Sequence, residues 1–401
     1  MLNSFLKFIL PKRTFERHCR SQAKKAGQKY YEQIDVSRWT QCLNSPRLDP
    51  VLKKMFIEYE QSDSAKLTSN YWLVLNKKNV MQLMENGYDN FKQTVALNYF
   101  TFLFDKTNLQ VNFLEKVLNE EQIQWAKSFS QDSSKKHNKH ALFTEKQSAF
   151  HNYMTCLLWE YAKGQVSSNL LDQLSEPSLG NPPSIMIDKR GISQDLLNAA
   201  LEHDSITQGV NEIFGKEKAG WSHVQTIMEI GAGYGRTAYV HLTLHKHLKY
   251  IIVDVPPALY ISQKYLSQCF PDKKIFSYRP FRDFFQIEEE YKNSQIIFLM
   301  PHQIAEIPDH SIDLFLAVDC LHEMRPGEIQ HYFERINRLA RTFYLTCNTK
   351  TSVPYENIEL TEKDFAPLPH WNKVFYKQRR VQHNYFEAFY GIEKTGISSL
   401  I

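Results

Sequence analysis

This 401-residue chain contains no run of 18 or more apolar residues, so no helix that crosses a bilayer is encoded in it. Cysteine is sparse. The six residues at 19, 42, 156, 269, 320 and 347 form no Cys-x-x-Cys pair, which argues against a zinc site and fits a reducing, cytoplasmic setting. Glycine is also scarce, at 14 residues, and almost absent between 30 and 175. Neither sign of charge dominates: 48 Lys and Arg stand against 44 Asp and Glu, a formal net charge of +4. The basic surplus sits at the amino terminus, not around any RNA-binding module, so no nucleic-acid partner is expected. Hydrophobic content of 42% and aromatic content of 13% describe a globular protein with room for two domains, each with its own core.

Residues 1–30 carry eight Lys or Arg and one acid, a charge of +7 that leaves −3 for the rest. Leu2, Phe5, Leu6, Ile9 and Leu10 fall on one helical stripe that Pro11 ends. One reading is an interfacial helix through which residues 1–20 touch an anionic membrane. The default reading is a helix docked on the protein or a frayed basic terminus.

From about 30 to 175 the periodicity is helical. Asn90 reads as an N-cap for a helix bearing Phe91, Val95, Tyr99 and Phe102, and residues 130–140, without an apolar side chain, read as an exposed loop. Two prolines and a glycine exclude regular structure over 176–182, and Ser193 caps a following helix. Beyond about 220 apolar runs at 226–230, 250–254, 296–300, 312–318 and 342–347 alternate with helical stretches, and strand-like runs at 374–376 and 385–390 close the pattern. This predicts an α/β domain with a mostly parallel sheet covered on both faces. The expected divisions are a basic segment at 1–30, a helical domain at 31–200 and an α/β domain at 201–401.

Glycines stand at 231, 233 and 235, after the apolar run 226–230, with Glu229 two residues ahead of the first. Asp254 ends the next apolar run. The dinucleotide fingerprint Gly-x-Gly-x-x-Gly would place its third glycine one residue later. An acid just before the turn repels a pyrophosphate but suits a ligand carrying an ammonium and a sulfonium.

The pattern Glu229-Ile-Gly231-Ala232-Gly233-Tyr-Gly235 with Asp254 resembles the class I methyltransferases that use S-adenosylmethionine. Ser69-Asn-Tyr-Trp72, Gly87-Tyr-Asp-Asn-Phe-Lys92, Glu176-Pro-Ser-Leu-Gly-Asn-Pro182 and Ile192-Ser-Gln-Asp-Leu-Leu197 narrow this, over roughly 65–390, to a family of sugar O-methyltransferases. The resemblance implies a Rossmann-like, seven-stranded sheet behind a helical region with an acceptor-binding or oligomer-forming role. By it, Glu229 and the turn Gly231-Ala232-Gly233-Tyr-Gly235 face the methionine half of the donor, and Asp254 takes the ribose hydroxyls. It puts an adenine-binding group after the run 296–300, where this chain offers Gln303.

The run 312–318 ends in Asp319-Cys-Leu-His322-Glu323, at the edge that faces the transferred methyl in such folds. A sugar hydroxyl is a poor acid, so His322 is the candidate base and Asp319 its orienting partner or a hydroxyl ligand. His322-Glu-Met-Arg-Pro326 lacks the second histidine of a zinc-protease motif, and no metal site is expected. The reading is O-methyl transfer to a sugar or glycan precursor. The alternatives are a small-metabolite or protein methyltransferase, or a non-catalytic nucleotide- or glycan-binding scaffold.

Overall fold

The computed structural model describes residues 36–99, 104–136, 145–215, 220–353 and 356–392; the basic segment and its lipid contact lie outside them. The first half is helical: α1 (Val36–Leu43), α2 (Pro50–Gln61), α3 (Asp63–Leu67), α4 (Asn70–Asn86), α5 (Val95–Tyr99), α6 (Phe104–Val117), α7 (Glu120–Lys136), α8 (Glu145–Gln165) and α9 (Ser168–Asp172). A hairpin, β1 (Ser184–Ile187) and β2 (Arg190–Ser193), leads into α10 (Gln194–Phe214). Then come β3 (Thr226–Ile230), α11 (Arg236–Leu244), β4 (Lys249–Val253), α12 (Ala258–Cys269), β5 (Ile275–Phe276), α13 (Glu288–Asn293), β6 (Ile296–Leu299), β7 (Ile312–Val318), α14 (Pro326–Leu339) and β8 (Ala340–Asn348). A small hairpin of β9 (Lys350–Val353) and β10 (Ile358–Thr361) precedes β11 (Trp371–Gln378) and β12 (Tyr385–Ile392).

The main sheet has the order β11-β12-β8-β7-β3-β4-β6-β5. Strands β3 to β8 run parallel, and the terminal β11–β12 hairpin joins antiparallel through β12. The seven predicted strands are present, and the two-residue β5 adds an eighth at the edge. Residues of β6 are buried without alternation, as both faces of a covered parallel sheet require. The order of strand addition reverses between β3 and β7, which themselves run parallel, so a crevice opens there at the carboxyl ends of the strands.

The helical half is divided between two cores: buried residues from Val111 to Leu201 cluster together with Val240 and Val381, whereas earlier residues pack into the core of the sheet. Trp39, Phe56, Tyr59, Val80 and Phe91 share one buried cluster with Ile227, Tyr250 and Phe298 of the sheet. The expected boundary at 200/201 also falls inside α10, an unbroken helix that Ser193 caps by accepting from the Leu196 amide at 3.0 Å. This helix belongs to the sheet layer: a Cβ at Gly209 would lie 2.3 Å from the Phe389 ring of β12. Two further expectations need correcting. Asn90 is no N-cap but a kink in a 3₁₀ turn at 88–93, where its side-chain oxygen accepts from Asn181 at 3.0 Å. Residues 130–136, expected as loop, continue α7; a helix begun upstream can run on through residues without apolar side chains, so composition alone misjudges it.

Three of the four segments that carried the family resemblance meet in space. Lys92 is buried, bonded to Glu176, and sits 4.3 Å over the Tyr265 ring; Glu176 also accepts from Ser193. Gly180 adopts φ +78°, and a Cβ there would lie 2.3 Å from the Phe91 ring. These motifs therefore fasten the helical half to the sheet.

Candidate active site

The glycine turn closes the carboxyl end of β3. Gly231, Gly233 and Gly235 all have positive φ, at 62°, 60° and 91°. Their roles differ. At Gly231 a Cβ would lie 2.5 Å from Cys320, so the turn packs directly on the end of β7. Gly233 donates its amide to Asp254 at 2.7 Å, and Gly235 opens α11 against Leu266, where a Cβ would sit 3.0 Å from a methyl carbon.

Together these elements bound a pocket of about 850 Å³, mouth included. Glu229, Gly231, Ala232, Gly233 and Asp254 all line it; Gly235 and Gln303 do not. Gly235 serves helix packing instead. Gln303 is buried, its oxygen accepting from the Met300 amide at 2.8 Å and its nitrogen donating to the Arg279 carbonyl at 2.9 Å. That side chain braces the loop after β6, which corrects its assignment to adenine. The helical half caps the pocket with Thr68 and Trp72, and the Ser69 hydroxyl donates to the Glu323 carbonyl at 3.0 Å.

Charge is the pocket's distinguishing property. Glu229, Asp254, Asp319, Glu323 and Glu328 line it against one guanidinium, Arg236, which is itself paired with Glu202 at 2.8 Å through both nitrogens. Burial pushes the Glu229 carboxyl up to about 8, although Tyr250 donates to it at 2.8 Å and Arg236 lies near. Burial likewise raises Asp254 to about 7, against the amides of Val255 and Gly233. An anionic pyrophosphate would meet carboxylates here. A cationic ligand would relieve them.

A second, larger cavity of about 2090 Å³, mouth included, adjoins the first. Arg236, Asp319 and Glu323 line both. Its walls come from α6, from the β9 strand and from the 379–384 turn of the last hairpin, and they carry amides (Gln110, Asn112, Asn198, Asn348, Gln382, Asn384) and aromatic rings (Tyr71, Phe113, Tyr385). His322 is buried on this wall, its ring edge-on to Tyr385 at 5.5 Å. Asp319 has φ +56° and gives its oxygens to Arg379 at 2.8 and 2.6 Å, with Thr346 as a further donor. Burial alone would raise its pKa, but Arg379 and Arg236 outweigh this and hold it below the usual carboxylate range. Asp319 is thus a fixed anion, not a proton acceptor. Arg379 also bonds Glu202, so two arginines and two acids lock the floor between the cavities. Among the described residues no group of three His, Cys, Asp or Glu is placed to hold a metal ion, and no helix is long and apolar enough to cross a membrane.

No family model matches the chain, and no curated protein matches it. Solved structures do. The mitomycin 7-O-methyltransferase is 14% identical over 64% of this chain and 76% of its own, with a TM-score of 0.33. A SAM-dependent methyltransferase from Aquifex aeolicus is 14% identical over 46% and 92%, with a TM-score of 0.27. The methyltransferase domain of a bacterial Hen1 is 12% identical over 49% and 99%, with a TM-score of 0.33.

Arg379, Trp72 and Thr68 escape sequence reasoning. Each reaches the site from an element remote in sequence; Trp72 lies in a segment that carried the resemblance, but nothing there marks it as a wall of this pocket.

Proposed function

We propose that the protein transfers a methyl group from S-adenosylmethionine to a hydroxyl of a sugar or glycan precursor. The observation that carries this reading is the acidic pocket at the β3/β7 switch point opening, through Asp319 and Glu323, into a larger cavity rich in amides and aromatic rings. When bound, the donor supplies an electrophilic methyl on a sulfonium. Glu229 would hold its ammonium, and Asp254, with lone pairs beyond those taken by Gly233 and Val255, would accept from its ribose hydroxyls. In the second cavity, side-chain amides suit paired hydroxyls and the rings suit the apolar face of a pyranose. His322 would take the proton of the attacking hydroxyl, and the Asp319 anion would hold that hydroxyl or its neighbour in line.

Calorimetry tests the donor claim: S-adenosylhomocysteine should bind and NADH should not, and the reverse order would sink the reading. The acceptor is tested by the mass of cell-envelope glycans with and without the protein. One residue should lose the mass of a CH₂ in its absence.

A further inference from the structure

With Gln303 spent on the loop after β6, the donor reading lacks a group for the base, and the structure supplies another. The pocket follows the sheet edge from β3, where Glu229 lies, past Asp254 at the end of β4 to Pro301, just after β6. The ribose-binding position is thus in the middle, and the β6 end lies beyond it. That end is lined by Val255, Ala258, Pro301, Tyr332 and Glu328. The first three offer apolar faces for a flat ring. Glu328 stands in the first turn of α14, one turn before Tyr332, and also borders a small cavity beside Pro301 and Ile304. We propose that Glu328 recognises the adenine edge of the donor, its carboxyl accepting from the 6-amino group. This inference rests on the donor reading above.

The chemistry of the side chain agrees with its place. Burial pushes the carboxyl up to about 8, against the charge of Arg325 and a bond from the Arg325 amide. Near neutral pH it therefore keeps a proton and can donate as well as accept. On its N7 edge adenine presents that same pair, the 6-amino donor beside the N7 acceptor. Hypoxanthine, with an oxygen at position 6, turns the donor into an acceptor.

The test is calorimetric binding of S-adenosylhomocysteine and its 6-oxo analogue, S-inosylhomocysteine, to wild type, Glu328→Ala and Glu328→Gln, with folding checked by thermal unfolding. Wild type should prefer the adenine ligand by about ten-fold or more, and Glu328→Ala should lose that preference along with about ten- to one-hundred-fold in adenine affinity. Glu328→Gln should bind the adenine ligand within several-fold of wild type and narrow the preference, because an amide can turn its nitrogen to the 6-oxo group. A preference intact in both variants overturns the assignment. A folded wild type that binds neither ligand overturns instead the donor reading itself.

Discussion

Replacing Glu229 by Gln should stabilise the ligand-free protein and weaken its affinity for the proposed donor. The carboxyl is buried and its pKa rises from 4.5 to about 8. At about 1.4 kcal/mol per pH unit, ionising it inside the fold costs roughly 5 kcal/mol more than in the unfolded chain. Between pH 4.5 and 8 the fold keeps this proton while the unfolded chain releases it, so the group lowers stability steadily as pH rises through that window. Gln removes the term, retains an oxygen for the Tyr250 hydroxyl, and should give roughly 3 kcal/mol at pH 7, or several degrees in Tm. Without a carboxylate, however, an ammonium has no buried counter-charge, and affinity for S-adenosylhomocysteine should fall by about a hundred-fold. Melting curves at pH 5.5, 7 and 8.5, with and without S-adenosylhomocysteine, separate the two effects. A variant no more stable than wild type at pH 8.5, or one that still binds tightly, would refute the reasoning.

The histidine cluster gives a second pH signature. His203, His241 and His245 pack around Trp221, with 2.8 Å between Nε2 of His203 and Nε2 of His245. Burial drives all three below the ordinary value, to about 4 for His241 and about 3 for His245. The unfolded chain therefore binds more protons below pH 6.5, and stability should fall as pH drops from 6.5 towards 3. His203→Phe should flatten that slope in melting curves, and an unchanged slope would show that the acid sensitivity arises elsewhere. At the acceptor site, His322→Ala should cut turnover by about a hundred-fold or more while S-adenosylhomocysteine affinity stays within two- or three-fold. Unchanged turnover would remove His322 from the chemistry.

What was legible in the sequence was local. Apolar runs fixed the strands because both faces of a parallel sheet are covered, and glycine spacing with Glu229 and Asp254 located the pocket because a tight turn and two strand ends are short-range features. Ser193 announced its helix for the same reason. The remainder is tertiary. Nothing near Gln303 reveals that its amide closes on Met300 and Arg279, and nothing near Asp319 shows that Arg379, 60 residues on, will neutralise it. Nothing local separates Phe56 and Phe91, which join the sheet's core, from Met154 and Leu158, which cluster within the helical half, because all four are equally apolar.

The last hairpin has a consequence for biosynthesis. Arg379 and the turn at 379–384 complete both the charged floor and the larger cavity, yet β12 enters the sheet between β8 and β11, after every other described strand has been made. A growing chain can assemble the glycine turn and most of its sheet long before Asp319 meets Arg379. Until the hairpin docks, Glu202 and Asp319 share Arg236 alone, and the larger cavity lacks a wall. Donor binding and catalytic competence should therefore mature at different times, with the step that admits the acceptor coming last.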